Sequence, residues 1–99
     1  MPIYKLSVLA DEDIYHIVRY TLQHFGLTQA KRYHEELIKV FELLAQNAGL
    51  GAECHWICQD MRRFQYKKHG IYIIKQGDEV LISRVLHQSM DIEALDFPT

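Results

Sequence analysis

The chain has 99 residues, 48% of them hydrophobic and 24% charged, enough apolar surface for one packed core and too little length for two. The same composition excludes intrinsic disorder. Eleven Lys and Arg against thirteen Asp and Glu leave a net charge of −2, so the basic excess of a domain that grips nucleic acid through its phosphates is missing, and no direct sequence-specific nucleic-acid binding is expected.

No apolar run reaches the roughly 18 residues of a membrane-spanning helix, and the N-terminal segment lacks the apolar stretch of a signal peptide. A single cytoplasmic domain over residues 1–99 is therefore expected, with no membrane contact. Residues 3–9 put Tyr4, Leu6 and Val8 on one side and Ile3, Lys5, Ser7 and Leu9 on the other, the alternation of a strand. Asp11, Glu12 and Asp13 then offer a helix cap and first-turn negative charge. Ile14, Ile17, Val18, Thr21, Leu22 and Phe25 follow at helical spacing until Gly26 stops the helix. Thr28 can cap a second helix whose stripe is Tyr33, Leu37, Val40, Phe41 and Leu44. The short connection makes the two helices an antiparallel hairpin, and Asn47 to Gly51 ends it.

Residues 52–60 carry no clear pattern. Beyond them Arg62 to His69, Ile71 to Gln76 and Val80 to Leu86 read as strands, with turns at Gly70 and at Gly77-Asp78. The expected fold is α+β in the order β-α-α-β-β-β, a helical hairpin on a four-stranded, mainly antiparallel sheet, with the edge taken by the first strand left open. The segment 89–99 is acidic and reads as a tail that packs loosely or orders on a partner.

The chemistry-bearing residues are few. Cys54 and Cys58 are too sparse for a disulfide framework, and in an extended segment their α-carbons lie about 13 Å apart, so both are expected as reduced thiols. Cys54-His55 with Cys58 lacks a second ligand pair, and His34-Glu35-Glu36 lacks the second histidine of a zinc-protease helix, so neither a metal nor any other cofactor is expected. Neither the serines nor the cysteines lie in a nucleophile motif. What remains is basic: Arg62 and Arg63 entering one strand, Lys67, Lys68 and His69 leaving it, and Arg84 with His87 on the last strand. Arginine forks and a titratable imidazole suit a phosphate, although such residues also decorate the solvent side of a half-covered sheet. Tyr15, Arg19 and Tyr20 on the first helix and Tyr33 on the second are residue types that anchor protein interfaces.

Specific words join this pattern. The opening segment through Leu37, then Met61-Arg62-Arg63-Phe64-Gln65-Tyr66, His69, Ile71-Tyr72, and Arg84-Val85-Leu86-His87-Gln88-Ser89-Met90-Asp91, resemble the ParE branch of the RelE/ParE toxin superfamily over nearly the whole chain. The chain departs from that pattern at Ala48, where proline is frequent, and at Asp60, where glycine commonly precedes the paired arginines. The resemblance implies the toxin of a type II toxin–antitoxin pair, held in a hetero-oligomer by a cognate antitoxin. It also implies a non-enzymatic poison that binds DNA gyrase and stabilises its cleaved DNA complex. On that reading Arg84, His87, Gln88 and Met90 contact the target, and Tyr15, Arg19, Tyr20 and Tyr33 contact the antitoxin. The sister RelE branch implies an alternative, a ribosome-dependent mRNA endoribonuclease with Arg62, Arg63, Arg84 and His87 as catalytic residues. Against it stands Gln88, a neutral amide where several RNA-cleaving relatives carry tyrosine after histidine.

Overall fold

A computed structural model of the chain describes residues 3–99. It contains β1 (Ile3–Leu6), α1 (Val8–Phe25), α2 (Leu27–Gln46), a single 3-10 turn (Ala48–Leu50), β2 (Ala52–Glu53), β3 (Met61–Tyr66), β4 (His69–Gln76) and β5 (Glu79–His87). The class is α+β, as expected, but the sheet has five strands in the order β1-β5-β4-β3-β2. The extra strand is the two-residue β2, which pairs Ala52 with Arg63 and Glu53 with Arg62. β1 runs parallel to β5, and every other pairing is antiparallel. Among the described residues no helix is long and apolar enough to cross a membrane.

The first strand is shorter than its alternation suggests. Ser7 ends it and caps α1: its Oγ accepts from Ala10 N at 2.9 Å and donates to Ser83 O at 2.7 Å. Ser7 thus does the work expected of Asp11, which lies inside the first turn instead. At the other end Gly26 is the whole hairpin connection. Its φ of 94° and ψ of 171° belong to a region open essentially to glycine alone, and α2 starts directly at Leu27 with no side-chain cap from Thr28.

The second turn also moves. The pairing of Tyr66 with His69 makes Lys67-Lys68 the loop between β3 and β4, with Lys67 at φ 51°. Gly70, expected as the turn, lies buried within β4 because Arg63 crosses it: a Cβ there would meet Arg63 Nε at 2.7 Å. The last hairpin turns at Gly77-Asp78, as its sequence indicates.

Both faces of the sheet are covered. On one side Ile71, Ile73, Val80, Ile82 and Val85 pack against Ala10 and Ile14 of α1 and Tyr33, Leu37, Val40, Phe41 and Leu44 of α2. On the other, Cys54, Met61, Tyr72, Ile74 and Leu86 form a smaller cluster closed by Ile57, Cys58, Ile92, Leu95 and Phe97. β4 is therefore buried at five consecutive positions, Gly70 to Ile74, rather than alternately. The segment 89–99 is no loose tail: Phe97 meets the Tyr72 ring edge-on at 5.0 Å, and Ser83 Oγ donates to Pro98 O at 2.6 Å. A bulge makes this possible. Between the pairs Tyr72–Arg84 and Ile73–Ile82 one residue of β5 is extra, so Ile82 and Val85 both reach the helix side, while Ser83 and Arg84 turn toward the tail.

Candidate functional site

Two polar constellations flank β5. The first is an anchor. Beyond Leu6 the edge of β5 has no neighbouring strand, and the side chain of Asp13 on α1 takes over. Its carboxylate accepts from Arg84 Nε and Nη2, each at 2.8 Å, and from Val85 N at 3.0 Å. Arg84 also donates through Nη1 to Asp96 O of the tail at 2.9 Å. The Asp13 carboxylate raises the Arg84 pKa further above its ordinary value. Arg84, expected as a contact for phosphate or target, is buried and spends all three nitrogens inside the molecule.

The second constellation is a run of rings where β3, β4 and β5 meet α2. Tyr33 hydroxyl and His69 Nδ1 share a hydrogen bond of 2.7 Å, and Tyr33 stacks beside Tyr66 at 6.1 Å. His69 and His87 meet edge to face at 5.4 Å. Lys67 Nζ lies 5.5 Å from the centre of the Tyr33 ring and 5.6 Å from that of Tyr66. Glu36 Oε1 accepts from Lys67 Nζ at 2.6 Å and from Tyr66 hydroxyl at 2.9 Å, and these two bonds lower the Glu36 pKa. Burial pushes Tyr33 up to about 12 and His69 down to about 4, so both are neutral across the physiological range. His87 completes the run, with Nδ1 and Ser89 Oγ 2.7 Å apart.

Set against these constellations, the residues singled out in the sequence scatter. Arg62 and Arg63 are consecutive on β3 and face opposite sides. Arg62 donates to Gly51 O at 2.8 Å and Glu53 Oε1 at 3.3 Å, whereas Arg63 lies over Gly70 and donates to Gln65. Arg62 shares its row with Ile73 and Ile82, and His87 shares its row with His69 and Tyr66. Those rows are four residues apart on β3, which separates Arg62 from His87 by roughly 13 Å along the strands and about 10 Å across them. Arg62 and His87 thus stand in separate rows, and Arg84 is turned inward onto Asp13. Gln88 and Met90 are exposed at the end of β5, where Gln65 Nε2 reaches Gln88 Oε1 at 3.5 Å. Among the described residues no group of three or more His, Cys, Asp or Glu is placed to hold a metal.

The helix surface divides too. Tyr15 and Arg19 are exposed and lie about 40° apart around α1, joined on that face by exposed Val8 and Leu22. Tyr20 lies on another side, stacked on His24 at 4.0 Å. Tyr33 is buried by the ring run instead of standing on the hairpin surface. Leu22 and Phe25, read from spacing as core, are both exposed. Leu22 is turned about 80° from Ile14, and Phe25 lies a full turn beyond Thr21, the last buried residue of α1. His69, Tyr66 and Glu36 were missed as a group because no local spacing links α2 to the β3–β4 turn.

This sequence and this architecture have known counterparts. Residues 4–92 match the family described as the ParE toxin of the type II toxin–antitoxin system parDE. The chain is 35% identical over 91 residues to Toxin ParE1 of Caulobacter vibrioides, covering 92% of this chain and 94% of the relative. It is 30% identical to Toxin ParE1 of Mycobacterium tuberculosis, covering 91% and 93%, and 27% identical to Toxin ParE of Escherichia coli, covering 93% and 90%. Its fold superposes with a TM-score of 0.74 on a chain of the chromosomal ParDE system from P. aeruginosa, at 18% identity and covering 88% of this chain and 95% of that one. The chain belongs to the ParE toxin family of type II toxin–antitoxin systems.

Proposed function

We propose that this toxin acts without catalysis, by binding DNA gyrase and stabilising its cleaved DNA complex, and that a cognate antitoxin neutralises it by covering part of its surface. The observation that carries this reading is the separate commitment of the four candidate nuclease residues. Arg62 is tied to Gly51 and Glu53, Arg63 to Gln65, Arg84 to Asp13 and Asp96, and His87 to the ring run. A surface that works by complementarity needs no convergent acid and base, and its residues are free to hold the fold instead.

For the target the reading uses the end of β5, where His87, Gln88 and Met90 adjoin one another and Arg84 holds the strand from beneath. For the antitoxin it uses the exposed face of α1, where Tyr15 and Arg19 continue into Val8 and Leu22, an apolar stripe suited to an amphipathic helix. Tyr20, on another side of α1, and the buried Tyr33 stand outside that stripe.

Purified gyrase, relaxed plasmid and ATP provide the test. Adding the chain should suppress supercoiling and accumulate linear DNA, and His87→Ala should at most weaken the effect. Cleavage of ribosome-bound message, abolished by His87→Ala while supercoiling continues unaffected, would replace this reading by the nuclease one. Tyr15→Glu with Leu22→Glu should leave gyrase inhibition in place and release it from antitoxin control.

A further inference from the structure

The segment between β2 and β3 holds both cysteines of the chain, and it is folded back on itself rather than extended. Ile57 N donates to Cys54 O at 3.1 Å, Met61 N to Cys58 O at 3.2 Å, and Cys54 N to Met61 O at 3.0 Å. The first of these bonds closes a turn of the kind whose ends lie within about 7 Å, and Cys58 follows it directly. Both sulfurs enter one apolar cluster, Cys54 fully buried and Cys58 half-buried, beneath Ile92, Leu95 and Phe97 of the docked tail. Two free thiols on the same closed loop and in the same cluster are an arrangement that the toxin's fold does not otherwise need, since any small apolar residue would fill that space.

From this geometry we infer that Cys54 and Cys58 form a reversible intramolecular disulfide, making the β2–β3 loop and the tail packed on it an oxidation-responsive part of the toxin. The inference does not depend on the gyrase reading. The oxidant is a low-molecular-weight disulfide. Cys58, the more accessible sulfur, loses its proton to solvent and attacks, forming a mixed disulfide and expelling one thiolate. Cys54, deprotonated in turn, attacks the Cys58 sulfur and expels the second. Two protein thiols are oxidised by two electrons, and one small disulfide is reduced to two thiols. Burial raises the Cys54 pKa, which leaves Cys58 as the sulfur that meets the oxidant first. The bond shortens the space between the two side chains, so the cluster under Phe97 must repack, and the loop carrying Trp56, the chain's single tryptophan, moves with it.

The full chain is equilibrated with glutathione disulfide and glutathione at graded ratios, quenched with acid, labelled with N-ethylmaleimide and mass-mapped across residues 54–58. The expected product is a monomer that carries neither label, is lighter by two hydrogens and regains both labels after dithiothreitol. Its tryptophan emission shifts with the same midpoint, and Cys58→Ser shows no such shift. Three results would overturn the inference: both sulfurs labelled at the most oxidising ratio, glutathione retained on Cys58 with Cys54 still labelled, or disulfide-linked dimers. An identical emission shift in Cys58→Ser would overturn it too.

Discussion

Asp13→Ala should be among the most damaging single substitutions in this chain. The two side chains of the Asp13–Arg84 pair are only 12% and 10% exposed, and their nearest contact is 2.8 Å. Removing one member of a pair this buried strands the other charge, at about 3–5 kcal/mol. The substitution also orphans Val85 N–H, which for a sheltered amide adds about 1 kcal/mol. A loss of about 5 kcal/mol is a large share of the roughly 5–15 kcal/mol that holds a domain of this size, and it lowers Tm by roughly 20–40 °C. Urea and thermal unfolding followed by far-ultraviolet circular dichroism read it directly. The double variant Asp13→Leu with Arg84→Met, which removes both charges and keeps apolar volume, should recover most of the loss. A single variant within about 1 kcal/mol of the parent would show that water already reaches the pair. A double variant as unstable as the single would mean that stranded charge is not the cause.

The paired arginines follow Asp60, which adopts φ 68°, a left-handed conformation that costs a side chain about 1 kcal/mol or more. Asp60→Gly should raise stability by about 0.5 kcal/mol after glycine's added chain entropy is counted, measurable as a higher urea midpoint at unchanged slope. Gly51→Ala should do the reverse by about 1–2 kcal/mol, because a Cβ there meets Arg63 C and O at 3.0 Å and backbone cannot swing aside; slower amide exchange along Arg62 and Arg63 would contradict that. His69 prefers its neutral form in the fold, with a pKa of about 4 against an ordinary 6.5. The unfolded chain therefore takes up this proton first, and stability is present above pH 6.5 and lost on the way down to about pH 4, by about 3 kcal/mol. Unfolding of His69→Gln across that interval should lack this component, and parallel curves for variant and parent would refute it. Glu36 shifts in the acidic direction, so its bonds to Lys67 and Tyr66 support the fold above the ordinary carboxyl range and fail as pH drops through its lowered value; Glu36→Gln should flatten the most acidic part of the same curve.

Strong periodicity was enough to read both helices and the last hairpin, and what eluded the sequence was decided at longer range. Ser7 became the cap because β5 offers only Glu79 to Ile82 to the first strand, which ends β1 early and leaves a hydroxyl where the helix starts. Gly70 looked like a turn because the local signal does not include Arg63, which crosses it from the next strand. The bulge at Ser83 leaves no trace in alternation, yet it decides which residues of β5 face the helices. Arg84 could be recognised as a cation but not as an anchor, since Asp13 lies 71 positions away. Asp60 was visible as a departure from a familial glycine, and its backbone angle explains why glycine suits that position.

The order β1-β5-β4-β3-β2 has a consequence for how the molecule is born. Its first strand can find its permanent neighbour only after residues 79–82 exist, so a growing chain carries the helical hairpin and a ladder open along one side until that segment emerges. A product that stops before residue 79 leaves β1 without its partner and exposes a strand margin. Emergence of residues 79–82 is thus a built-in checkpoint on when the first strand finds its place.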